Sequence, residues 1–445
     1  MNLFAGLTDE IKNIETENYF GYVTGVRGLF IEVSGIRRRL SIGDRCHIHN
    51  SNGKNVICEL VSFMDDKLLL MPYGSLEGIG LCCKVEVDNA SPVIYPHPSW
   101  LGRIVNAFGE AIDGKGPLIK GNKPYYIKSS PPPAQFRDRV CGKVDLGVKA
   151  VNTFLTICKG QRMGIFAGSG VGKSTLMSMM AKNTDSDISI IGLIGERGRE
   201  AKEFVEDTLG EEGLAKSVLV LATSDESPLM RRQAAYTSMA IAEFFRDENK
   251  NVLCMMDSIT RFAMAQREIS LSIGEPPASK GYTPSVFAEL PRLLERAGPG
   301  AGNGTITGLF TVLVDGDDHN EPVADAVRSI LDGHIVLDRS IAERGRYPAI
   351  NILRSISRTM PDCDTPEEYA IVAKARKYIA AYENMAELIR LGAYKKGSNQ
   401  EVDEAIFYYP KIEEFLSQRK GEKVSLADCY QQLNAILSEP YNPKG

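Results

Sequence analysis

The stretch Ile165-Phe-Ala-Gly-Ser-Gly-Val-Gly-Lys-Ser-Thr175 joins an apolar run to a segment that can open a helix. A strand, a glycine-rich turn and a Lys-Ser pair in this order are typical of a loop whose backbone N–H groups surround phosphate oxygens. Lys173 can then reach the β- and γ-phosphates, and the Ser174 hydroxyl can ligate Mg²⁺. A glycine-rich turn without a ligand is the alternative, but the order of the elements favours binding of a nucleoside triphosphate.

One position departs from the strict phosphate-loop pattern. Ala167 stands where the first glycine is usual, five residues before Gly172. An alanine fits there if its φ angle is negative, and Gly168 can supply the flexibility. We therefore predict that the whole loop holds the nucleotide, with contributions from Ala167, Gly168, Ser169, Gly170, Val171, Gly172, Lys173, Ser174 and Thr175.

Length and composition are those of an ordinary globular protein with several domains. The 445 residues suggest about three domains, and 43% hydrophobic with 24% charged residues is typical of such proteins. The net charge of −5 argues against nucleic acid as the main partner, since phosphate neutralisation needs clustered Lys and Arg. Because the N-terminus has no apolar signal core and no apolar run approaches membrane-spanning length, we expect a cytoplasmic protein.

Cysteine and histidine usage predicts structural roles. The nine cysteines contain no Cys-x-x-Cys pair, and Cys158 and Cys254 lie in apolar runs, which favours buried free thiols in a reducing compartment. His47 and His49 could share one strand face, but two histidines without further ligands are more often structural than metal-binding.

The N-terminal part of the chain changes character at about residue 19. Residues 1–18 place apolar side chains at helical spacing, namely Leu3, Leu7, Ile11 and Ile14. This predicts an amphipathic helix that either folds back or docks on another protein, and we favour docking. Short β-branched runs separated by Gly, Asp and Asn turns then predict a β-barrel over residues 19–90.

The remaining chain predicts an α/β region followed by helices. Buried strand-like runs alternate with helical segments over residues 91–362, which indicates a parallel sheet with helices on both faces. Thr365-Pro-Glu-Glu368 is a capping box with Pro at the first helical position. It opens a predicted C-terminal helical domain over residues 363–445.

Two further strand ends carry candidate catalytic groups. Asn251-Val-Leu-Cys-Met-Met-Asp257 ends in a carboxylate that could hold the water shell of Mg²⁺, although many buried strands end in Asp at a turn. Gly195-Glu-Arg-Gly-Arg-Glu200 follows the strand Ile190–Ile194, at the edge where parallel sheets present ligands. Glu196 could orient the attacking water and Arg197 could lie near the γ-phosphate, but a surface turn of alternating charge fits equally well.

Longer motifs carry a family resemblance that runs from about Tyr19 to the C-terminus. This chain resembles members of the rotary-type ATPase superfamily in five segments. They are Leu101–Gly114, Gly195–Glu200, Met256–Ala263, Gly281–Ala288 and Ser355–Arg358. Within that superfamily, the ATPases of flagellar and type III protein export resemble this chain at Ala167–Ser174 and Leu331–Arg339. The segments Glu343–Asn351 and Ala386–Tyr394 are most similar to the flagellum-specific branch, and Ala167 resembles the usual residue of the export ATPases.

The resemblance implies a RecA-like ATPase domain that uses ATP and Mg²⁺. It implies that Lys173 serves the phosphates, that Ser174 and Asp257 serve the metal (Asp257 partly through water), and that Glu196 positions the attacking water. Arg197 and Arg261 match positions near the phosphates.

Arg358 matches an arginine finger that is donated to the nucleotide of the neighbouring subunit. A finger of this kind neutralises transition-state charge. A subunit that carries both Glu196 and the finger is incomplete alone, so identical copies in a ring complete one another, and the resemblance implies a homohexamer. Without the resemblance, Arg358 could equally be a surface arginine after a strand.

The resemblance also implies partners and a place in the cell. These are a stator-like regulator, a central stalk protein, the export gate, export chaperones and cargo, with the ring peripheral at the inner face of the cytoplasmic membrane. Such a ring would release chaperones and unfold cargo. The Pro- and Gly-rich segment Gly274–Phe287 could approach the channel of the ring or could be an ordinary connecting loop.

Several related functions remain as alternatives. Injectisome ATPases share every catalytic residue named above, so the sequence favours the flagellar machine only by diffuse similarity. The catalytic subunit of a rotary proton-transporting ATP synthase shares the barrel, loop and Glu. An RNA translocase shares the ring, but residues 19–90 lack a basic groove with interleaved aromatic residues. A non-catalytic nucleotide-binding subunit would typically lack the carboxylate at Glu196.

Overall fold

The computed structural model describes residues 19–36, 40–88, 92–133, 135, 137–314 and 321–441. The predicted helix of residues 1–18 lies outside this part of the chain. The described residues form a closed β-barrel, an α/β region around a mostly parallel sheet, and a C-terminal group of helices. The α/β fold class that the sequence predicts is therefore confirmed.

The barrel is built from short strands whose inward side chains are apolar. Its strands are β1 Phe20–Arg27, β2 Phe30–Ser34, β3 Arg45–His49, β4 Asn55–Met64, β5 Lys67–Pro72 and β6 Lys84–Val87. They close in the order β1-β2-β5-β4-β3-β6. Burial alternates along β1, where Val23 faces the core with Ile31 and Val33 of β2. This period of two is the pattern of a strand with one buried face.

The central sheet is long and buried on both faces. Its strands, in spatial order, are β19 Ile356–Ser357, β18 Gly333–Leu337, β12 Arg162–Ala167, β17 Thr305–Leu313, β15 Asn251–Asp257, β13 Ile188–Glu196, β14 Ser217–Thr223 and β8 Arg103–Val105. Neighbouring strands are parallel except that β19 and the short β16 (Gly298–Pro299) pair antiparallel with β18 and β17. Ile165 and Phe166 of β12 face different hydrophobic clusters, which explains the continuous apolar run.

Two small sheets and thirteen α-helices complete the described part of the chain. The small sheets pair β7 Val93–Ile94 with β9 Tyr125–Tyr126, and β10 Lys143–Val144 with β11 Ile157–Cys158. The α-helices are α1 Lys149–Phe154, α2 Lys173–Asn183, α3 Gly198–Glu203, α4 Gly210–Ala215, α5 Pro228–Asp247, α6 Ile259–Ser272, α7 Pro284–Leu294, α8 Pro322–Ile330, α9 Arg339–Glu343, α10 Met360–Cys363, α11 Pro366–Arg390, α12 Gln400–Leu416 and α13 Leu426–Ser438. A π-helical turn, Phe204–Leu209, joins α3 to α4.

The predicted capping box at the start of α11 is present. The Thr365 hydroxyl accepts a hydrogen bond from the Glu368 N–H at 3.2 Å, and the Glu368 carboxylate accepts one from the Thr365 N–H at 2.7 Å. Without these two acceptors, the N–H groups of Thr365 and Glu368 at the start of the helix would have no partners. The box therefore fixes where the C-terminal helices begin.

The prediction that the cysteines are free thiols is wrong for one pair. Cys158 on β11 and Cys363 on α10 are joined by a disulfide, with Cα atoms 6.9 Å apart. The two residues are 205 positions apart in the chain, so sequence spacing gave no sign of the pairing. The prediction does hold for Cys254, which is free and buried.

A buried ionic cluster fixes the barrel to the α/β region. The Glu59 carboxylate of β4 accepts hydrogen bonds from Arg232 of α5 at 2.6 Å and from Lys128 at 3.0 Å, and Glu59 is only 3% exposed. Burial acts to raise the pKa of Glu59, but Arg232 and Lys128 overcome this effect and set the pKa at about 2. Glu59 therefore stays charged between two cations.

Glu59→Gln is expected to lower the free energy of unfolding by about 3–5 kcal/mol, because it leaves the buried Arg232 without its counter-ion. The depressed pKa means that the contribution of Glu59 is fully present above its ordinary pKa and is lost as pH falls towards 2. The free energy of unfolding, measured with urea between pH 4.5 and pH 2, should accordingly depend less on pH in the variant than in the wild type. The exposed Glu77→Gln is the matched control, and equal stability of the two variants would contradict the prediction.

Candidate nucleotide-binding site

The glycine-rich loop lies between β12 and α2, at the carboxyl edge of the sheet. Gly172 precedes the first residue of α2 with φ +92°, a conformation that glycine adopts without strain. Ala167 is the last residue of β12 and pairs with Leu313 and Leu337, so its backbone is extended, as the departure from the strict pattern requires. Val171 is buried in the hydrophobic core, which anchors the loop.

A cavity of about 540 Å³ opens above this loop. It gathers most of the predicted site residues from three separate segments. Its lining consists of Ala167, Gly168, Ser169, Gly170, Gly172, Lys173, Ser174, Thr175, Gly195, Glu196, Arg197, Glu200, Arg261, Leu313 and Val314. The carboxyl ends of β12, β13 and β17 therefore meet at one place, as parallel strand order requires.

Lys173 lies between two carboxylates in the described structure. Its ammonium group contacts the Asp257 carboxylate and lies 3.6 Å from the Glu196 carboxylate. Asp257 is buried at the end of β15 and also accepts a hydrogen bond of 2.7 Å from the Thr311 hydroxyl. A nucleotide phosphate entering the loop would compete for the same lysine, since phosphate oxygens are strong acceptors.

Glu196 has the electrostatic properties of a general base. It ends β13, and burial together with the nearby Asp257 raises its pKa to about 7, while Lys173 acts in the opposite direction. A carboxylate tuned close to neutral pH can accept a proton more effectively than an ordinary glutamate. The placement of Glu196 in the cavity agrees with the water-orienting alternative better than with an exposed turn.

The two arginines that are predicted near the phosphates differ in their surroundings. Arg261 of α6 packs its stem against Gly195, whose φ is +70°, and a Cβ atom at Gly195 would lie 3.0 Å from the Arg261 Cβ. Arg197 keeps 78% of its side chain exposed and lies 3.3 Å from Glu200. Arg197 therefore has the contacts of a surface turn, although it borders the cavity.

Arg358 lies on a different surface from the phosphate loop. It follows β19, is exposed, and donates its backbone N–H to the Asp332 carbonyl at 3.0 Å. It lines a separate, largely apolar cavity of about 460 Å³ together with Ile356, Met360 and Tyr369. Within a single chain, Arg358 therefore lies apart from the other predicted site residues.

Two residues beside the loop were not predicted as site residues. A Cβ atom placed on Gly172 would lie 3.4 Å from the ring of Tyr347, which is 45% exposed. Arg339 donates a hydrogen bond of 3.3 Å to the Ser169 carbonyl. Both lie in segments that entered the sequence analysis only as marks of resemblance, Leu331–Arg339 and Glu343–Asn351. An aromatic residue within such a motif was the only signal that the sequence offered for Tyr347.

The residues present suit a Mg²⁺ ion that arrives with its nucleotide. Ser174 lines the cavity and Asp257 lies beside Lys173, so both supply oxygen ligands close to the loop. Within the described ranges, no group of three or more His, Cys, Asp or Glu residues could form a protein cage for a metal. Mg²⁺ commonly takes one or two protein oxygens and completes its shell with water and phosphate. The oxygen atoms of Ser174 and Asp257 fit this mode of Mg²⁺ binding.

The fold and the site together define a P-loop nucleotide-binding protein with a barrel before the sheet and helices after it. Residues 147–357 match the family model of the ATP synthase alpha/beta family, nucleotide-binding domain. Residues 365–435 match the model of the T3SS EscN ATPase C-terminal domain. None of the described helices is both long and apolar enough to cross a bilayer.

Similar proteins narrow this class to one branch. The flagellum-specific ATP synthase of Caulobacter vibrioides is 57% identical, over 97% of this chain and 98% of its own length. That of Bacillus subtilis is 50% identical, over 97% and 98%. The chain therefore belongs to the flagellum-specific ATP synthase family. The assembled ATPase EscN from the enteropathogenic E. coli type III secretion system is similar in structure, with TM-score 0.87, 38% identity, and coverage of 94% of this chain and 100% of EscN.

Proposed function

We propose that this chain hydrolyses ATP to energise type III protein export for flagellum assembly, and that it works as a homohexameric ring. The proposal is carried by one observation. Glu196, with its raised pKa, lies beside Lys173 in the phosphate-loop cavity of a chain that is 57% identical to a flagellum-specific ATP synthase. Strongly shifted pKa values cluster at functional sites, which favours an enzyme over a non-catalytic nucleotide-binding subunit.

The chain's own residues account for binding and proton transfer. The N–H groups of the loop and Lys173 hold the phosphates, and Lys173 exchanges its carboxylate partners for them. Ser174 and, partly through water, Asp257 would hold Mg²⁺, which would supply positive charge at the phosphate oxygens. Glu196 orients the attacking water and accepts its proton. Arg261 and Arg197 border the cavity, where their charge favours the phosphates.

The base of the nucleotide has a candidate partner in Tyr347. Its ring lies beside Gly172 and is partly exposed. A base stacked on an aromatic side chain gains about 1–3 kcal/mol, regardless of which base it is. Tyr347 would therefore raise affinity without reading the identity of the base.

Ring assembly explains why Arg358 lies away from the cavity of its own chain. In a ring, Arg358 of one subunit reaches the nucleotide of its neighbour and neutralises charge in the transition state. EscN is known in assembled form and in complex with its central stalk EscO. We extend this arrangement to the present chain, with a ring and a central stalk of its own.

The remaining assignments follow from the same proposal. The domains are an N-terminal docking segment (1–18), a barrel (19–90), a RecA-like domain (91–362) and a helical domain (363–445). The partners are a stator-like regulator, the export gate, export chaperones and cargo, and the ring is held at the inner face of the cytoplasmic membrane through these partners. Nucleic acid is not among the expected ligands.

An injectisome ATPase is the second candidate, supported by the structural similarity to EscN. The higher identities to flagellar relatives, 57% and 50% against 38%, favour the flagellar machine. A proton-transporting synthase subunit is less well supported, because residues 365–435 match the C-terminal model of the export ATPases.

Expression of this chain in a Caulobacter vibrioides strain that lacks its flagellum-specific ATP synthase is expected to restore secretion of filament protein. The reason is that 57% identity over 97% of this chain favours common catalytic residues and common partner surfaces. Secretion is measured by immunoblot of the medium. The Lys173→Ala variant, which loses the phosphate-binding ammonium, is the inactive control. Rescue of secretion in an enteropathogenic E. coli strain without EscN, but not in the flagellar strain, would assign the chain to the injectisome instead.

A further inference from the structure

We infer that the end of α12 holds Tyr347 in place at the nucleotide cavity, so that Glu413 and Gln418 are positioning residues for the base of ATP. The inference rests on the proposed function in one respect, namely that the ligand of the cavity is ATP. It adds that the C-terminal helical region, together with strand β18 of the sheet, holds the segment that carries the Tyr347 ring beside Gly172.

The first connection is a backbone hydrogen bond to the Tyr347 loop. The Gln418 N–H, two residues past the end of α12, donates to the Tyr347 carbonyl at 2.8 Å. Because this bond is made at the residue whose ring borders Gly172, the position of Gln418 sets where the ring can lie.

The Gln418 side chain is itself fixed by three hydrogen bonds. Its carbonyl accepts from the Lys149 N–H at 2.9 Å, and its amide donates to the carbonyls of Gly147 at 2.8 Å and Glu422 at 2.9 Å. Gln418 is 5% exposed. A glutamine uses both its donor and its acceptor here, so neither a carboxylate nor an apolar residue can replace it.

The second connection is the ion pair between Arg346 and Glu413 of α12. The Arg346 Nε and the Glu413 carboxylate are 3.0 Å apart, and Arg346 is 7% exposed. The same guanidinium donates to the carbonyls of Pro348 at 3.2 Å and Ile350 at 2.9 Å. Arg346 therefore clamps the backbone just after Tyr347, and Glu413 holds the clamp from α12.

The two connections make the gap between Tyr347 and Gly172 depend on α12. A shift of α12 would displace the ring from the base, and a base that fills the gap would in turn resist the shift. Coupling of this kind is reciprocal by thermodynamic necessity. The affinity for a nucleotide with a base should therefore depend on the position of α12. The affinity for a bare polyphosphate, which reaches only the loop, should not.

Glu413→Gln is expected to weaken ADP binding about tenfold and to leave the binding of inorganic tripolyphosphate unchanged within about twofold. The KM for ATP should rise by a similar factor, with a much smaller change in kcat. Calorimetry gives both affinities. Gln418→Ala is an independent second variant with the same expected pattern, and thermal melts show which variants are folded. Glu414→Gln, an exposed neighbour on α12, is the matched control and should behave as wild type.

A double-mutant cycle separates positioning from a general structural effect. In a Tyr347→Ala background, Glu413→Gln and Gln418→Ala should change ADP affinity by less than about twofold, because the ring through which they act is gone. Equal losses for ADP and tripolyphosphate, or effects that add to that of Tyr347→Ala, would overturn the inference. Failure of the premise that ATP is the ligand of the cavity looks different, since wild-type protein would then bind neither ligand at the loop.

Discussion

Replacement of Glu196 by Gln is expected to lower the steady-state rate of ATP hydrolysis by about 10²–10⁴-fold while ATP binding is retained. Gln keeps the size of the side chain and can still hydrogen-bond to water, but its amide cannot accept the proton of the attacking water. Lys173 and the loop that hold the phosphates are unchanged. A fluorescent ATP analogue measures binding, and a phosphate-release assay measures turnover.

The same variant has a second signature in its stability. Burial, with Asp257 nearby, raises the pKa of Glu196 to about 7, so the folded protein without nucleotide favours the protonated carboxyl. Its contribution to stability is fully present below the ordinary pKa and is lost as pH rises through about 7. The stability of the Glu196→Gln variant should not fall in this way as the pH rises. Melting temperatures of the two proteins between pH 5 and pH 8.5 test the sign.

Glu203→Gln is the control for both measurements. Glu203 lies on α3, with its side chain 52% exposed and 3.7 Å from Arg199, so the substitution changes charge near the site without touching the cavity. Its turnover should equal that of wild type. Multiple-turnover hydrolysis at the wild-type rate in Glu196→Gln would remove Glu196 from its assigned role.

The parts of the site that sequence could predict are those set by local geometry. The phosphate loop needs only a strand, flexible glycines and a helix start within eleven residues, and the structure has all three between Ile165 and Thr175. The position of Asp257 could be predicted in the same way, because it ends an apolar strand. Because parallel strands end at one edge of the sheet, their terminal residues meet.

The parts that sequence left open depend on contacts between distant segments. Glu196 could be a base or part of a surface turn, and its burial near Asp257 of β15 and Lys173 of α2 favours the base. Tyr347 lies beside Gly172 although 175 positions separate them in the chain. The support of Tyr347 from Gln418 crosses another 71 positions. No periodicity or spacing within a window of residues encodes such contacts.

Arg358→Ala is expected to lower ATP hydrolysis about 10³-fold or more, because the ring then lacks the cation that neutralises transition-state charge. Binding of ATP should change little, since Arg358 lies away from the cavity of its own chain. The specific activity of wild type should rise with protein concentration as rings form, and that of the variant should stay low throughout. Arg354→Ala, an exposed arginine on the same segment, is the control for loss of surface charge.

A mixture of two inactive variants tests whether the finger acts between subunits. In a ring assembled from equal amounts of Glu196→Gln and Arg358→Ala chains, about a quarter of the pockets combine an intact Glu196 with an intact Arg358 from the neighbour. Activity should therefore reappear on mixing, to about a quarter of the wild-type rate if pockets act independently. If Arg358 acted within its own chain, no pocket in the mixture would contain both groups, and mixing would restore nothing. The Lys173→Ala chain mixed with Glu196→Gln is the control, because Lys173 and Glu196 line the same cavity of one chain, and a pocket with intact Lys173, Glu196 and neighbouring Arg358 cannot form from that pair.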